Sequence, residues 1–288
     1  MVYLVWCGNS ALGLLSAGQS AGRNQRARMI PADLLILTTA IIAACVFGLW
    51  LLSLPLKDVS FIDAFWPLGF GIVAWISYVA TVPEHPRALL VLALTSLWAI
   101  RLGTYLLSRW LQEPQEDQRY QAMRARRPGF AWQSLYVVFG LQGALILIIG
   151  LPLMAGISNA AAPLGVLDAL GMTLFVLGFL MEALADAQLA AFKRNPANEG
   201  KVLDTGLWAW SRHPNYFGNT VLWWGLFLIA IADTQNWWTI ISPILMTWLI
   251  LRVSGVSLLE RGLRKRRAGY DAYAARTSAF IPHPPRRS

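Results

Sequence analysis

Trp208-Ala-Trp-Ser-Arg-His-Pro-Asn-Tyr-Phe-Gly-Asn219 crowds two tryptophans, a guanidinium, an imidazole, amides and a phenol into twelve residues, and it runs directly into the apolar segment 220–232. A dense polar cluster at the mouth of a membrane helix is costly, so it marks a site. The apolar run beside it has several counterparts elsewhere in the chain, and together they set the fold class.

The 288 residues are 56% hydrophobic and only 14% charged, with fourteen tryptophans. That apolar content exceeds the norm for a soluble domain. It is concentrated in blocks at 32–54, 65–82, 88–107, 135–155, 164–185, 218–232 and 237–253. Each comes close to the ~20 residues that cross a bilayer. The expectation is an all-α, polytopic membrane protein with about seven transmembrane helices. Its net charge of +9 is carried by the connections and the C-terminus, which fits membrane topology and anionic head groups rather than nucleic acid. Cys7 and Cys45 lie in apolar sequence without ligand spacing, so neither a disulfide framework nor a metal site is expected.

Five basic residues lie between Arg109 and Gln133, and nine more from Arg252 onward, whereas 156–163 and 233–236 carry no lysine or arginine. The positive-inside rule therefore puts the 109–133 and 186–215 connections and the C-terminus in the cytoplasm. Residues 1–28 break the pattern: their apolar run is short, Arg23, Arg26 and Arg28 oppose the orientation, and Met29-Ile-Pro-Ala-Asp reads as a fresh start. We expect an N-terminal extension over 1–28 and one transmembrane domain over 29–288.

Four other places carry chemistry. Asp63, at the entry to the second span, reads as a proton donor or as a helix N-cap. Trp98, Arg101, Tyr105 and Arg109 share one helical face, and Arg101 lies deep enough to call for a buried partner or an anionic ligand. Glu84 and His85 read as a solvated turn. Glu182 and Asp186, four residues apart, point the same way; they read as acceptors for ribose hydroxyls or a carboxamide, or as a helix end paired with Lys193 and Arg194. In the opening stretch, Arg212 offers donors suited to phosphate, while Asn215, Tyr216 and Asn219 sit at a helix N-terminus that favours anions. Downstream, Tyr270-x-x-Tyr273-x-x-Arg276 forms an aromatic and cationic stripe suited to covering a nucleotide.

Glu-x-x-x-Asp at 182–186, Trp-Ser-Arg-His-Pro-Asn-Tyr-Phe-Gly at 210–218 and Tyr-x-x-Tyr-x-x-Arg-Thr-Ser-Ala-Phe-Ile-Pro at 270–282 resemble the bacterial branch of the steroid 5α-reductase-like membrane proteins. The Arg-His-Pro-x-Tyr core is shared with isoprenylcysteine and phospholipid methyltransferases. The resemblance implies seven helices in a bacterial inner membrane, enclosing a cavity for NADPH and a hydrophobic lipid or steroid. Hydride would pass to the β-carbon of an enone such as a 3-oxo-Δ4 steroid. By similarity, Asp186 and Asn215 contact the nicotinamide–ribose end with Tyr216 nearby, and Arg194, Arg212 and Arg276 hold phosphates. The cofactor-binding set is then Glu182, Asp186, Arg194, Arg212, His213, Asn215, Tyr216, Asn219, Tyr270, Tyr273 and Arg276. The nearest counterparts of the family's substrate-polarising pair are Asp63 and Tyr105. No Gly-x-Gly-x-x-Gly is present, so the nucleotide site is not a Rossmann one. One departure stands out: the reductases read Asn-Tyr-Phe-Gly-Glu where this chain has Asn219. Two rival readings are an S-adenosylmethionine-dependent methyltransferase, using the Arg-His-Pro-x-Tyr core and an acid near Glu260, and a non-catalytic binder of lipid or nucleotide.

Overall fold

The computed structural model describes residues 30–113, 115–158, 163–253, 260 and 269–285. The expected extension over 1–28 lies outside them. Helices α1 (Ala32–Leu56), α2 (Ile62–Thr81), α3 (Pro86–Gln112), α5 (Phe130–Ser158) and α6 (Val166–Arg194) are each long and apolar enough to cross a bilayer. The short helix α4 (Gln118–Arg126) lies in the basic connection between α3 and α5. Large side chains such as Ile36 and Phe47 on α1, Leu97 and Ile100 on α3, and Val176 and Leu180 on α6 face outward. Such faces suit lipid and not water, and the helices satisfy their own backbone hydrogen bonds there.

The remaining two expected spans are shorter. Helix α7 (Pro214–Ala230) has 17 residues, with Pro214 in its first turn. After it come a 3-10 segment, Thr234–Ile240, then α8 (Ile241–Trp248) and a π turn, Leu249–Val253. Asn236 donates to the carbonyl of Ala230 at 3.1 Å, closing the end of α7. Five full-length spans are therefore described, against the seven expected. A last helix, α9 (Tyr270–Arg276), precedes the tail.

Helices α6 and α7 run antiparallel with their backbones in contact. A Cβ at Gly171 would lie 2.6 Å from the carbonyl oxygen of Gly225, and one at Gly178 would lie 2.5 Å from that of Gly218. Small residues at such spacing let membrane helices approach closely. Helices α3 and α6 run parallel and are pinned at their N-terminal ends. There Arg87 Nε donates to Asp168 at 2.7 Å and Arg87 Nη2 donates to its other oxygen at 2.9 Å, with both side chains buried. Inside the bundle, Trp223 meets Phe70 and Trp98 edge to face at 4.7 and 5.5 Å between ring centroids, a favoured aromatic geometry, and Phe70 and Trp98 are tilted against each other at 5.8 Å.

His85 corrects the expectation of a solvated turn. It is the N-cap of α3: its Nδ1 accepts from the Ala88 N–H at 3.2 Å and its Nε2 donates to the Ile157 carbonyl at 2.9 Å. Only the neutral ring with hydrogen on Nε2 makes both bonds. Burial first, and the Arg87 charge further down, hold its pKa below the ordinary 6.5, against the pull of the Ile157 bond. The folded state therefore prefers the neutral ring, so the unfolded state takes up the proton first on acidification. Stability contributed here is full above about pH 6.5 and falls as pH drops below that value toward the folded pKa. We expect unfolding of the detergent-solubilised protein in mixed micelles to ease between about pH 7 and 5.5. His85→Asn, which keeps a capping side chain, should flatten that slope.

Candidate functional site

The glycine contacts of α6 and α7 carry directly into a polar network. One turn beyond Gly178, Glu182 accepts from Asn219 Nδ2 at 3.1 Å and from Trp98 Nε1 at 3.0 Å. A further turn along, Asp186 accepts from Asn215 Nδ2 at 3.0 Å and from Arg101 Nη2 at 2.6 Å. Arg101 Nη1 lies 3.7 Å from Glu182 and has no hydrogen-bond partner among the described residues. Both carboxylates are 3% exposed, and a charge buried in a membrane protein requires such partners. Arg101 thus has the buried partner its depth called for. The acids are paired with Arg101 from α3.

Beside this network a cleft of about 680 Å³ opens between the C-terminal halves of α3 and α6. Arg101, Tyr105 and Arg109 line one wall, and Asp186, Lys193 and Arg194 the other. The guanidinium carbons of Arg101 and Arg109 lie 5.5 and 5.9 Å from the centre of the Tyr105 ring, within cation–π reach. Among the described residues, the phenol oxygens of Tyr105 and Tyr216 make no hydrogen bond, and the Tyr216 ring stacks on His213 at 5.7 Å.

Other expected site residues gather in a second group. Arg212 Nε donates to Glu260 at 2.7 Å, and its Nη1 donates to the carbonyls of Ala274 and Thr277 at 2.9 and 2.7 Å. His213 Nε2 lies 3.5 Å from the same Glu260 carboxylate. Burial works against the Glu260 charge, but the nearby His213 ring and the Arg212 guanidinium outweigh it and hold the carboxyl below its usual range. Tyr273 donates to the Trp208 carbonyl at 2.6 Å, Tyr270 packs beside it, and Arg276 pairs with Asp204. The tail is stitched back over the opening stretch: Arg212 N–H donates to the Ser278 carbonyl at 2.8 Å and Ser211 Oγ to that of Phe280 at 2.8 Å. Arg212, His213, Tyr270, Tyr273 and Arg276 therefore engage protein groups, while Arg194 lines the cleft.

Asp63 stands in a third group and is not the N-cap, which is Phe61. It accepts from Arg119 Nη2 at 2.5 Å and from the Tyr120 hydroxyl at 2.7 Å. Burial first, and then the Asp63 charge, push the Tyr120 phenol well above its ordinary value, so it remains a donor. No hydrogen bond joins Asp63 to Tyr105 among the described residues.

Fold and site together define a polytopic helical membrane protein with a polar, cation-lined cleft at one end of its bundle. The chain belongs to the family described as protein of unknown function DUF1295, whose model matches residues 49–277. It is similar to a Schizosaccharomyces pombe protein described as uncharacterized, with 24% identity over 265 residues, covering 81% of this chain and 75% of that one. A shorter likeness, 38% identity over 62 residues and 22% of each chain, is to the "Probable O-methyltransferase ustE" of Ustilaginoidea virens. No solved structure matches.

Proposed function

We propose that the protein is an NADPH-dependent reductase of the C=C bond of a hydrophobic enone, such as a 3-oxo-Δ4 steroid, working at the cytoplasmic side of the membrane. The observation that carries this reading is the pairing of hydrogen-bonded carboxylates with a four-cation cleft. Arg101, Arg109, Lys193 and Arg194 suit the phosphates of a dinucleotide, and Asp186 and Glu182 suit ribose hydroxyls or a carboxamide as acceptors. A cleft of about 680 Å³ falls within the range of small-molecule and cofactor sites, roughly 300–1,000 Å³. These residues fit the nucleotide. Because Arg212 and Arg276 are engaged elsewhere, the phosphate role moves to Arg109 and Arg194 on the walls of the cleft.

The departure at Asn219 falls within the same network. The reductases carry a carboxylate at that position on α7; here Asn219 instead donates to Glu182 on the facing helix. Glu182 belongs to the Glu-x-x-x-Asp pattern already shared with the reductases, so this chain has one carboxylate fewer in the network and an amide donor in its place. NADPH supplies a hydride when bound. The free phenols of Tyr105 and Tyr216 can donate toward the substrate oxygen as negative charge develops there, the positioned-donor arrangement that lowers such barriers.

A methyltransferase reading has one observation in its favour. Arg212, His213 and Glu260 form a closed group on the Arg-His-Pro-x-Tyr core, and one relative bears a methyltransferase name. Thermal unfolding of the purified protein separates the two. A ligand at a hundredfold its Kd stabilises by about 2.7 kcal/mol, so NADPH should raise the unfolding temperature and S-adenosylmethionine should not. The converse result would transfer the site to methyl transfer, and NADPH consumption dependent on an added 3-oxo-Δ4 steroid would establish the reductase.

A further inference from the structure

The Asp63 group is a site in its own right, distinct from the α3–α6 cleft. Three elements converge on it: the first turn of α2 brings Asp63, α4 brings Arg119 and Tyr120, and α5 brings Gln142. The α5 contribution has a local cause. A π turn at Leu135–Gly140 immediately precedes Leu141 and Gln142, and such a turn rotates the rest of the helix by roughly one residue, about 100°. It directs a polar side chain in a membrane-spanning helix toward a carboxylate rather than toward lipid.

The donors of this group are already committed. Arg119 donates to Asp63 and Asp117, and Tyr120 donates to Asp63. Gln142 Nε2 faces the Asp63 carboxylate and the Tyr120 oxygen, each at 3.4 Å. The amide must present this end, because the reverse orientation would set Oε1 against the carboxylate. Gln142 Oε1 is then buried and without a hydrogen-bond partner among the described residues. An unused buried acceptor costs free energy that an arriving donor would recover. The Asp63 and Arg119 side chains beside it are 30% and 39% exposed, and that is the side from which a ligand would have to reach Gln142 Oε1.

We propose that Gln142, with Asp63 and Tyr120, forms a head-group site for a hydroxyl-bearing amphiphile, whose O–H donates to Gln142 Oε1. The chemistry selects this head. An ether or a carboxylate brings acceptors alone and would meet Gln142 Oε1 and Asp63 lone pair to lone pair. An ammonium brings three donors for one free acceptor, leaving N–H groups buried and unpaired. A hydroxyl brings one. The group lies where α2 enters the membrane, next to the basic connection that holds α4, which is the depth of an amphiphile's polar end. This proposal is independent of the nucleotide reading.

Thermal unfolding of the detergent-solubilised full chain tests it with 1-dodecanol, the isosteric undecyl methyl ether and dodecanoate. We expect saturable stabilisation by the alcohol, with the ether and the carboxylate at least several-fold weaker. Gln142→Met should reduce the alcohol's affinity about three- to tenfold, the worth of one hydrogen bond. Because it removes only long contacts together with the unpaired buried acceptor, it should leave the unliganded unfolding temperature no lower and the response to NADPH unchanged. Equal binding of alcohol and ether by the unmutated protein would overturn the proposal without recourse to any variant. So would an alcohol preference that survives in a folded Gln142→Met protein.

Discussion

Gly178→Ala is expected to destabilise the protein by about 4 kcal/mol or more, at the exceptional end of single substitutions, or to prevent assembly. The added methyl would sit 2.5 Å from the Gly218 carbonyl oxygen and 2.6 Å from the Leu222 nitrogen. Both are backbone atoms of a helix, so neither can step aside as a side chain can. Relief requires α7 to move away from α6 along its length, which also opens the Glu182–Asn219 and Asp186–Asn215 bonds. Unfolding in mixed micelles and nucleotide binding should therefore fail together. The control is Gly48→Ala on α1, where an added Cβ meets nothing within 4 Å and where alanine favours the helix.

The second large effect is expected at the opposite end of α3. Arg87→Met should cost about 3–5 kcal/mol, the usual result of leaving one member of a buried ion pair without its partner. Arg87 and Asp168 are 1% and 2% exposed, so water cannot take over the role of the missing guanidinium. Adding Asp168→Leu should recover most of the loss, because the pair itself contributes far less than the penalty of an orphaned charge. A shortfall of about 1 kcal/mol should persist, since Asp168 also accepts from the Gly165 N–H at 2.8 Å and so caps α6. A double variant no more stable than Arg87→Met would argue against the pair as the source of the effect.

The fold class was legible because lipid-facing helices must be long and apolar, and hydropathy reports that directly. The last two apolar segments are described as shorter helical runs: α7 draws in Pro214, Asn215 and Tyr216 and ends at Ala230, where Asn236 and the 3-10 segment follow, and α8 with its π turn is described as far as Val253. The clustering of Glu182, Asp186, Asn215 and Asn219 was legible from spacing, since residues four apart share a face on both helices. Their partners were not. Trp98 and Arg101 reach the acids from α3, 84 and 85 residues away in sequence, and no local pattern encodes such a crossing. The group around Asp63 was equally hidden, because α4 lies in a polar connection without an apolar face to announce it. One signal was available and unused. Gly171 and Gly178 on α6 are spaced as Gly218 and Gly225 are on α7, and matched small residues seven apart in neighbouring apolar segments point to close packing. For Arg212 the residue type suggested phosphate, whereas its surroundings supply a carboxylate and two carbonyls, which satisfy the same donors.

The α6–α7 contact also resolves an ambiguity that the polar network leaves open. Glu182 and Asp186 repeat every four residues, as do Asn215 and Asn219, so sliding α7 by about one turn would still let Asn219 pair with Asp186. Hydrogen bonding alone tolerates that misregistration. The glycines repeat every seven, and the same slide would set Gly178 opposite Leu222 and Gly171 opposite Ile229, where no side chain can fit against bare backbone. Two scales of different pitch coincide at a single offset, as on a vernier. The alignment of the carboxylates with the cleft is thereby set in part by Gly171 and Gly225, and Gly171 stands fifteen residues, roughly 22 Å of helix, from Asp186.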